Sequence, residues 1–150
     1  MNCLPERIIV VGIMLVIALF CWVNGYGAEE VEINKIIQIE SSGNPKAYNP
    51  KTQDIGLMQI TPICLEDYNN YNPDYTTIDL YTPEINKIIG IWYINYRIPR
   101  MLNYYNIPDT IENRLIAYNW GIGNLIKYTK GELELPKETK EYLEKYDNIK

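Results

Sequence analysis

Residues 29–42 read EEVEINKIIQIESS, and the reading of this stretch decides the fold class. Ile33, Ile36, Ile37 and then Glu40 fall at i, i+3, i+4 and i+7, the spacing that lines one face of an α-helix. Three acidic residues, Glu29, Glu30 and Glu32, crowd the expected first turn, where the helix dipole favours them. Gly43, Asn44 and Pro45 are expected to stop the helix. Glu40 then shares a face with three isoleucines. A carboxylate on such a stripe is unusual, because burying it ionised is costly. Desolvation favours its neutral form and raises its pKa. A carboxylic acid that stays protonated near pH 7 can serve as a general acid. On spacing alone Glu40 equally well turns to solvent or pairs with Lys35 or Lys46.

The helical pattern continues outward from this segment. Residues 46–56 form a polar loop or short hairpin, and Thr61-Pro62 reads as an N-cap followed by proline at the first helical position. Residues 68–81 (YNNYNPDYTTIDLY) are turn-rich and aromatic, and an irregular surface loop is favoured over a sugar-stacking ribbon. Thr82-Pro83-Glu84 opens a long helix reaching about Asn103, with Ile85, Ile88, Ile89, Trp92 and Tyr96 expected on its core-facing stripe. Asp109-x-x-Glu112 reads as a capping box before a helix that presents Ile111, Leu115 and Tyr118 on one face. Gly121 and Gly123 break that helix, a short one follows to about Tyr128, and Pro136 begins the last. Strand patterns are nearly absent. The chain is expected to be mainly α.

Composition excludes several chemistries. The 150 residues contain no histidine, which removes Ser-His-Asp and Cys-His catalysis and histidine-held zinc or haem. The cysteines, Cys3, Cys21 and Cys64, include no C-x-x-C pair and are too few for a four-cysteine zinc site. No metal and no cofactor are expected. A net charge of −5 argues against a sequence-independent nucleic-acid binder. Chemistry is left to carboxylates, tyrosines, amides and hydroxyls.

From Ile8 to Val23 the chain carries no charge; Arg7 precedes this run, and Gly25, Gly27 and Ala28 follow it. A positive flank, an apolar run and a small-residue exit describe an export signal. Residues 1–28 are therefore read as a signal peptide cleaved near Gly27, or else as an N-terminal inner-membrane anchor through residues 8–23. Residues 29–150 form one domain. Subtracting Arg7 and Glu6 leaves it 13 basic against 18 acidic side chains. Its one remaining thiol, Cys64, cannot form an internal disulfide. Packing alone must stabilise it.

Three motifs stand around the first helix and beyond it. They are Glu40-Ser41-Ser42-Gly43-Asn44-Pro45, Gly56-Leu57-Met58-Gln59 and Ala117-Tyr118-Asn119-Trp120-Gly121. Asp79-Leu80 followed by Pro83-Glu84-Ile85-Asn86, and the closing Leu135-Pro136-Lys137-Glu138-Thr139-Lys140-Glu141-Tyr142, complete the set. Taken in order, the chain resembles the soluble lytic transglycosylase (SLT) family. The resemblance implies a lysozyme-like fold and action on bacterial peptidoglycan glycan strands in the periplasm or cell envelope.

By that similarity Glu40 is the sole catalytic acid and base. It would protonate the oxygen linking N-acetylmuramic acid to N-acetylglucosamine. Its carboxylate would then take a proton from the muramic acid's own C6 hydroxyl, which closes onto C1 and leaves a 1,6-anhydro sugar. The tethered hydroxyl is present at high effective concentration, so the second carboxylate of ordinary glycosidases is not required. Ser41 would hold Glu40 or a sugar, or merely cap the helix. Gly56 would allow backbone close to the sugar, or serve as a turn glycine. Met58 and Gln59 would line the cleft, although Met58 also suits core packing. Tyr118 and Asn119 would present a hydroxyl and an amide there, and Tyr142 would reach it from the last helix; plain packing is the alternative for both tyrosines.

Asp54 lies two residues before Gly56, on the loop expected to border the cleft. As a turn residue it has no chemistry. As a base for water it would make the enzyme a muramidase of the goose-lysozyme kind, which ranks second. A catalytically silent wall-binding or assembly protein is the third alternative. The small size also suits local wall opening for a secretion or conjugation machine.

Overall fold

The computed structural model describes residues 31–72 and 74–150, and over that span the chain is built from helices joined by short turns. Residues 1–30 lie outside the described residues, and with them the expected signal or anchor, Cys3, Cys21, Glu29 and Glu30. Among the described residues no helix is long and apolar enough to cross a membrane.

Helix α1 spans Ile33–Ser41 and begins later than the pattern suggests. Glu32 occupies its N-cap, outside the first turn, where its carboxylate pairs with Lys35 Nζ at 3.0 Å. Ser42 takes a left-handed conformation (φ 52°) and returns its N–H to the Gln38 carbonyl, which ends the helix one residue before Gly43. Strands β1 (Tyr48–Asn49) and β2 (Asp54–Ile55) then pair antiparallel, with Tyr48 opposite Ile55. Helix α2 (Pro62–Asn69) is capped by Thr61, whose hydroxyl oxygen accepts the Cys64 N–H at 3.0 Å.

Residues 70–72 and 74–82 are irregular apart from the 3-10 turn Asp79–Tyr81, and Asn69 bonds both the N–H and the carbonyl of Tyr75. Helix α3 (Pro83–Trp92), a π turn (Tyr93–Arg97) and helix α4 (Ile98–Tyr104) replace the single long helix expected from sequence. Pro99 explains the interruption, because it has no N–H for the Asn95 carbonyl and its ring crowds that turn. The buried face already runs through Asn86 and Gly90 before the π turn, and the wider turn shifts it only beyond Tyr93. Asn86, Ile89, Gly90, Ile94, Ile98 and Leu102 face inward, while Ile88 (50% exposed) and Tyr96 (46%) face out, contrary to the sequence pattern.

Helix α5 (Ile111–Trp120) is capped by Thr110 through the Asn113 N–H. The capping box read at Asp109 is therefore displaced by one residue, and Asp109 instead grips the buried Arg114 with both oxygens, at 2.6 and 2.7 Å. Gly121 (φ 89°) separates α5 from helix α6 (Ile122–Thr129), and Gly123 lies inside α6 rather than breaking anything. Helix α7 (Lys137–Asn148) follows Pro136.

The core is aliphatic: Ile36, Ile60, Ile89, Ile98, Leu102 and Leu125 are at most 1% exposed. Each such side chain contributes about 1.5–3 kcal/mol by leaving water. Helix α5 packs against α4, α6 and α7, while α7 also packs against α1. That sharing brings the ends of α1, α5 and α7 to one place.

Candidate active site

Glu40 sits in the last turn of α1, half-buried, on the side that faces α7. Tyr142 of α7 is 5% exposed and donates its hydroxyl to Glu40 Oε1 at 2.9 Å. Burial is the largest influence on the carboxyl and raises its pKa from 4.5 to about 7. The Tyr142 hydrogen bond opposes this, the negative charge of Asp54 adds to it, and Lys145 opposes it. Glu40 is thus held at the balance between acid and carboxylate near neutrality.

The loop Gly56–Gln59 forms the other wall. Ser41, next to Glu40, donates its hydroxyl to the Leu57 carbonyl at 2.8 Å and also approaches the Ile37 carbonyl at 3.1 Å. Ser41 therefore ties the helix to the loop and does not touch Glu40. Gly56 has φ 79°, and a Cβ there would stand 2.3 Å from Asn86 Nδ2. This close approach within the protein by itself requires glycine there. Met58 is fully buried with its sulfur beside Gly90, so only its backbone faces the site. Tyr118 of α5 donates its hydroxyl to the Met58 carbonyl at 2.7 Å. Burial, and then the nearby Glu40, push the Tyr118 phenol well above its ordinary pKa; the same two causes act on Tyr142, and both hydroxyls stay protonated donors.

Gln59, Tyr118 and Asn119 share a cavity of about 220 Å³ with Thr61, Ile63 and Tyr93. Gln59 has φ 48°, and its amide Nε2 donates to the Gly56 carbonyl at 2.9 Å, while its side-chain oxygen accepts no bond among the described residues. Asn119 Oδ1 accepts the Thr139 hydroxyl at 2.8 Å, and its amide N–H groups bond no acceptor among the described residues. Glu40 does not line this cavity but lies close enough to Tyr118 to act on its charge state. A larger hollow of about 560 Å³ between α1 and α7, bordered by Gln38, Ile39, Glu141 and Lys145, holds none of the expected site residues.

Asp54 stands on β2 with one carboxylate oxygen bonded to the Thr52 hydroxyl. Its other oxygen, Oδ1, is buried without a hydrogen-bond partner among the described residues. Such an atom costs about 1–3 kcal/mol or more when left unpaired. Sequence reasoning assigned no role to Lys145, Thr139 or Asn86. Asn86 and Thr139 stood only within the quoted motifs, and Asn86 left one further trace, a polar residue in phase with Ile89 and Gly90 on a helix that is otherwise apolar inside.

A family model described as Transglycosylase SLT domain matches residues 19–140. The chain is 33% identical over 108 residues to the membrane-bound lytic murein transglycosylase E of Buchnera aphidicola subsp. Acyrthosiphon pisum (strain APS), covering 69% of this chain and 48% of that protein. It is also 33% identical over 107 residues to the protein of the same name from Buchnera aphidicola subsp. Baizongia pistaciae (strain Bp), covering 68% and 50% respectively. The chain thus spans about half the length of these curated relatives. No solved structure matches it.

Proposed function

Since the chain belongs to the transglycosylase SLT family, we propose that it is a peptidoglycan lytic transglycosylase. It cleaves the bond from N-acetylmuramic acid to N-acetylglucosamine without water and leaves 1,6-anhydro ends. The observation that carries this reading is the carboxyl of Glu40, raised to about 7 by burial, hydrogen-bonded by Tyr142 and acting on Tyr118, which lines a cavity of about 220 Å³ with Gln59 and Asn119.

The Glu40 carboxyl gives its proton to the glycosidic oxygen as the C1–O bond breaks and positive charge develops at the ring. Lys145 and the Tyr142 hydroxyl favour the carboxylate that remains. The carboxylate then removes the proton of the C6 hydroxyl as its oxygen bonds to C1, which restores the acid. A pKa near the working pH suits a group that must act in both directions. Neutral dipoles of Gln59 and Asn119 orient the N-acetyl groups, and placement of the tethered hydroxyl supplies much of the rate. Ser41, Gly56, Met58 and Tyr118 shape the wall behind them.

Residues 1–28 act as an export signal or inner-membrane anchor and residues 29–150 as the catalytic domain, which places the enzyme in the cell envelope. Local wall opening for a secretion or conjugation machine suits its size. The test is mass spectrometry of purified peptidoglycan after digestion. Ends lighter by one water are expected, and products that all carry reducing ends would refute the assignment.

The unpaired Oδ1 of Asp54 favours one second reading, hydrolysis by a muramidase with Asp54 as base for water. A silent wall-binding module is less suited, because binding has no use for a carboxyl kept protonated by burial.

A further inference from the structure

We propose that Asn86 is a positioning residue for the proton transfers: it clamps the Leu57–Met58 peptide, from whose other end Ser41 and the catalytic turn of α1 are held. This rests on Glu40 being the acid. Asn86 is fully buried on α3, at the end of the Pro83–Asn86 motif and 46 residues from Glu40 in sequence. Its Oδ1 accepts the Met58 N–H at 2.8 Å, and its Nδ2 donates to the carbonyls of Ile55 at 2.8 Å and Leu80 at 2.9 Å. All of its principal hydrogen-bonding capacity is spent on backbone, and none is left for a ligand.

The Leu57–Met58 peptide is a rigid plane. Its N–H is held by Asn86, and its C=O by the Ser41 hydroxyl, one residue from Glu40. The next carbonyl, of Met58, receives the Tyr118 hydroxyl. Loss of the bond at the Asn86 end therefore frees the plane that carries the acceptor of Ser41 and adjoins, at the Met58 Cα, the carbonyl that receives Tyr118. Through the Ile55 carbonyl the same side chain fixes the end of β2, and with it the distance of Asp54 from Glu40. Gly56 is required so that the loop can lie against the Asn86 amide, since any Cβ would collide with it. One amide thus sets three neighbours of the acid while touching neither acid nor substrate.

The experiment compares Asn86→Ser with Leu102→Ala, a core truncation in α4 that is remote from the site and lowers Tm by packing alone. Two quantities are read on folded protein: the rate of anhydro-end formation, resolved into kcat and KM, and the pH titration of the Glu40 carboxyl by carbon-13 NMR. Asn86→Ser is expected to lower kcat about 100-fold, the effect of a misplacement of about 1 Å, with KM within about twofold. The Glu40 titration should fall from about 7 toward 4.5 as water enters. Leu102→Ala should keep wild-type values of both. Ser41→Ala releases the other end of the same peptide at a half-buried position and serves if Asn86→Ser does not fold; it should show the same pair of changes. Wild-type kcat and an unmoved titration in either clamp variant overturn the proposal. If the wild type forms no anhydro ends, the transglycosylase reading fails, and the NMR titration still decides whether Asn86 positions Glu40.

Discussion

Replacing Glu40 by Gln keeps the side chain's shape and removes its proton, so activity and stability can be separated in one variant. The interval between 4.5 and about 7 corresponds to about 3 kcal/mol of linkage. Partial exposure of the half-buried group to water reduces this to about 2 kcal/mol. The sign follows from the folded state holding the proton more tightly than the unfolded chain. Wild-type stability is full below about pH 4.5 and declines as the pH rises through 7, where a charge must be carried inside. The groups facing Glu40 are Tyr142, Asp54, Lys145 and Tyr118. The Gln variant carries no charge at any pH, so between pH 5 and 9 it should gain about 2 kcal/mol on the wild type. For a domain of this size that is about 8 °C in Tm. Circular-dichroism melts across the pH series measure it. In parallel, anhydro-end release should fall by about 100- to 10,000-fold, the usual worth of a general acid. Parallel Tm–pH curves for the two proteins, or retained turnover, would refute the idea that Glu40 is a buried proton carrier.

Tyr142→Phe removes the hydrogen bond that favours the carboxylate, so the Glu40 titration and the alkaline limb of the kcat profile should both move above pH 7. Asp54→Asn removes a like charge and should move the same limb downward, by less, because the Tyr142 bond is the larger influence. Asp54→Asn should also keep forming anhydro ends; complete loss of product would instead favour hydrolysis through that carboxylate. Cys64 is buried and its thiol is pushed far above the usual range, so iodoacetamide should label it only under unfolding conditions. Thr61→Ala should cost about 1 kcal/mol in urea unfolding through loss of the α2 cap.

Periodicity located the helices because aliphatic side chains repeat on their inner faces, and Thr61-Pro62 and Pro136 marked starts that depend on local chemistry alone. It failed where tertiary contacts override local pattern. Asp109 reads as a cap, yet the buried guanidinium of Arg114 claims it and leaves capping to Thr110. Ile88 and Tyr96 fit a helical stripe, but the π turn before Pro99 and the inward Asn86 rotate the buried face away from them. Within the site, Glu40 was legible as a carboxylate on an apolar stripe. The functions of Ser41, Gly56 and Met58 were not. Ser41 answers to the Leu57 carbonyl, Gly56 to the Asn86 amide and Met58 to Gly90, and local sequence says nothing of which distant groups converge.

The environment of Glu40 divides into two opposed halves. Burial and Asp54 favour the neutral acid; Tyr142 and Lys145 favour the carboxylate. Either half alone would disable one of the two proton transfers that a lone acid must perform: a carboxyl far below 7 has no proton to donate, and one far above it cannot accept the C6 hydroxyl proton. These influences come from different elements, since α1 buries the group, β2 brings Asp54, and α7 brings both Tyr142 and Lys145. A balance assembled from three elements holds only while their spacing holds. That accounts for the density of hydrogen bonds between the Gly56–Gln59 loop, α1, α3 and α5, in a place where no secondary structure would otherwise join them. Polar groups invested in spacing rather than in contact with a ligand are what the proposed single-acid mechanism would demand of this fold.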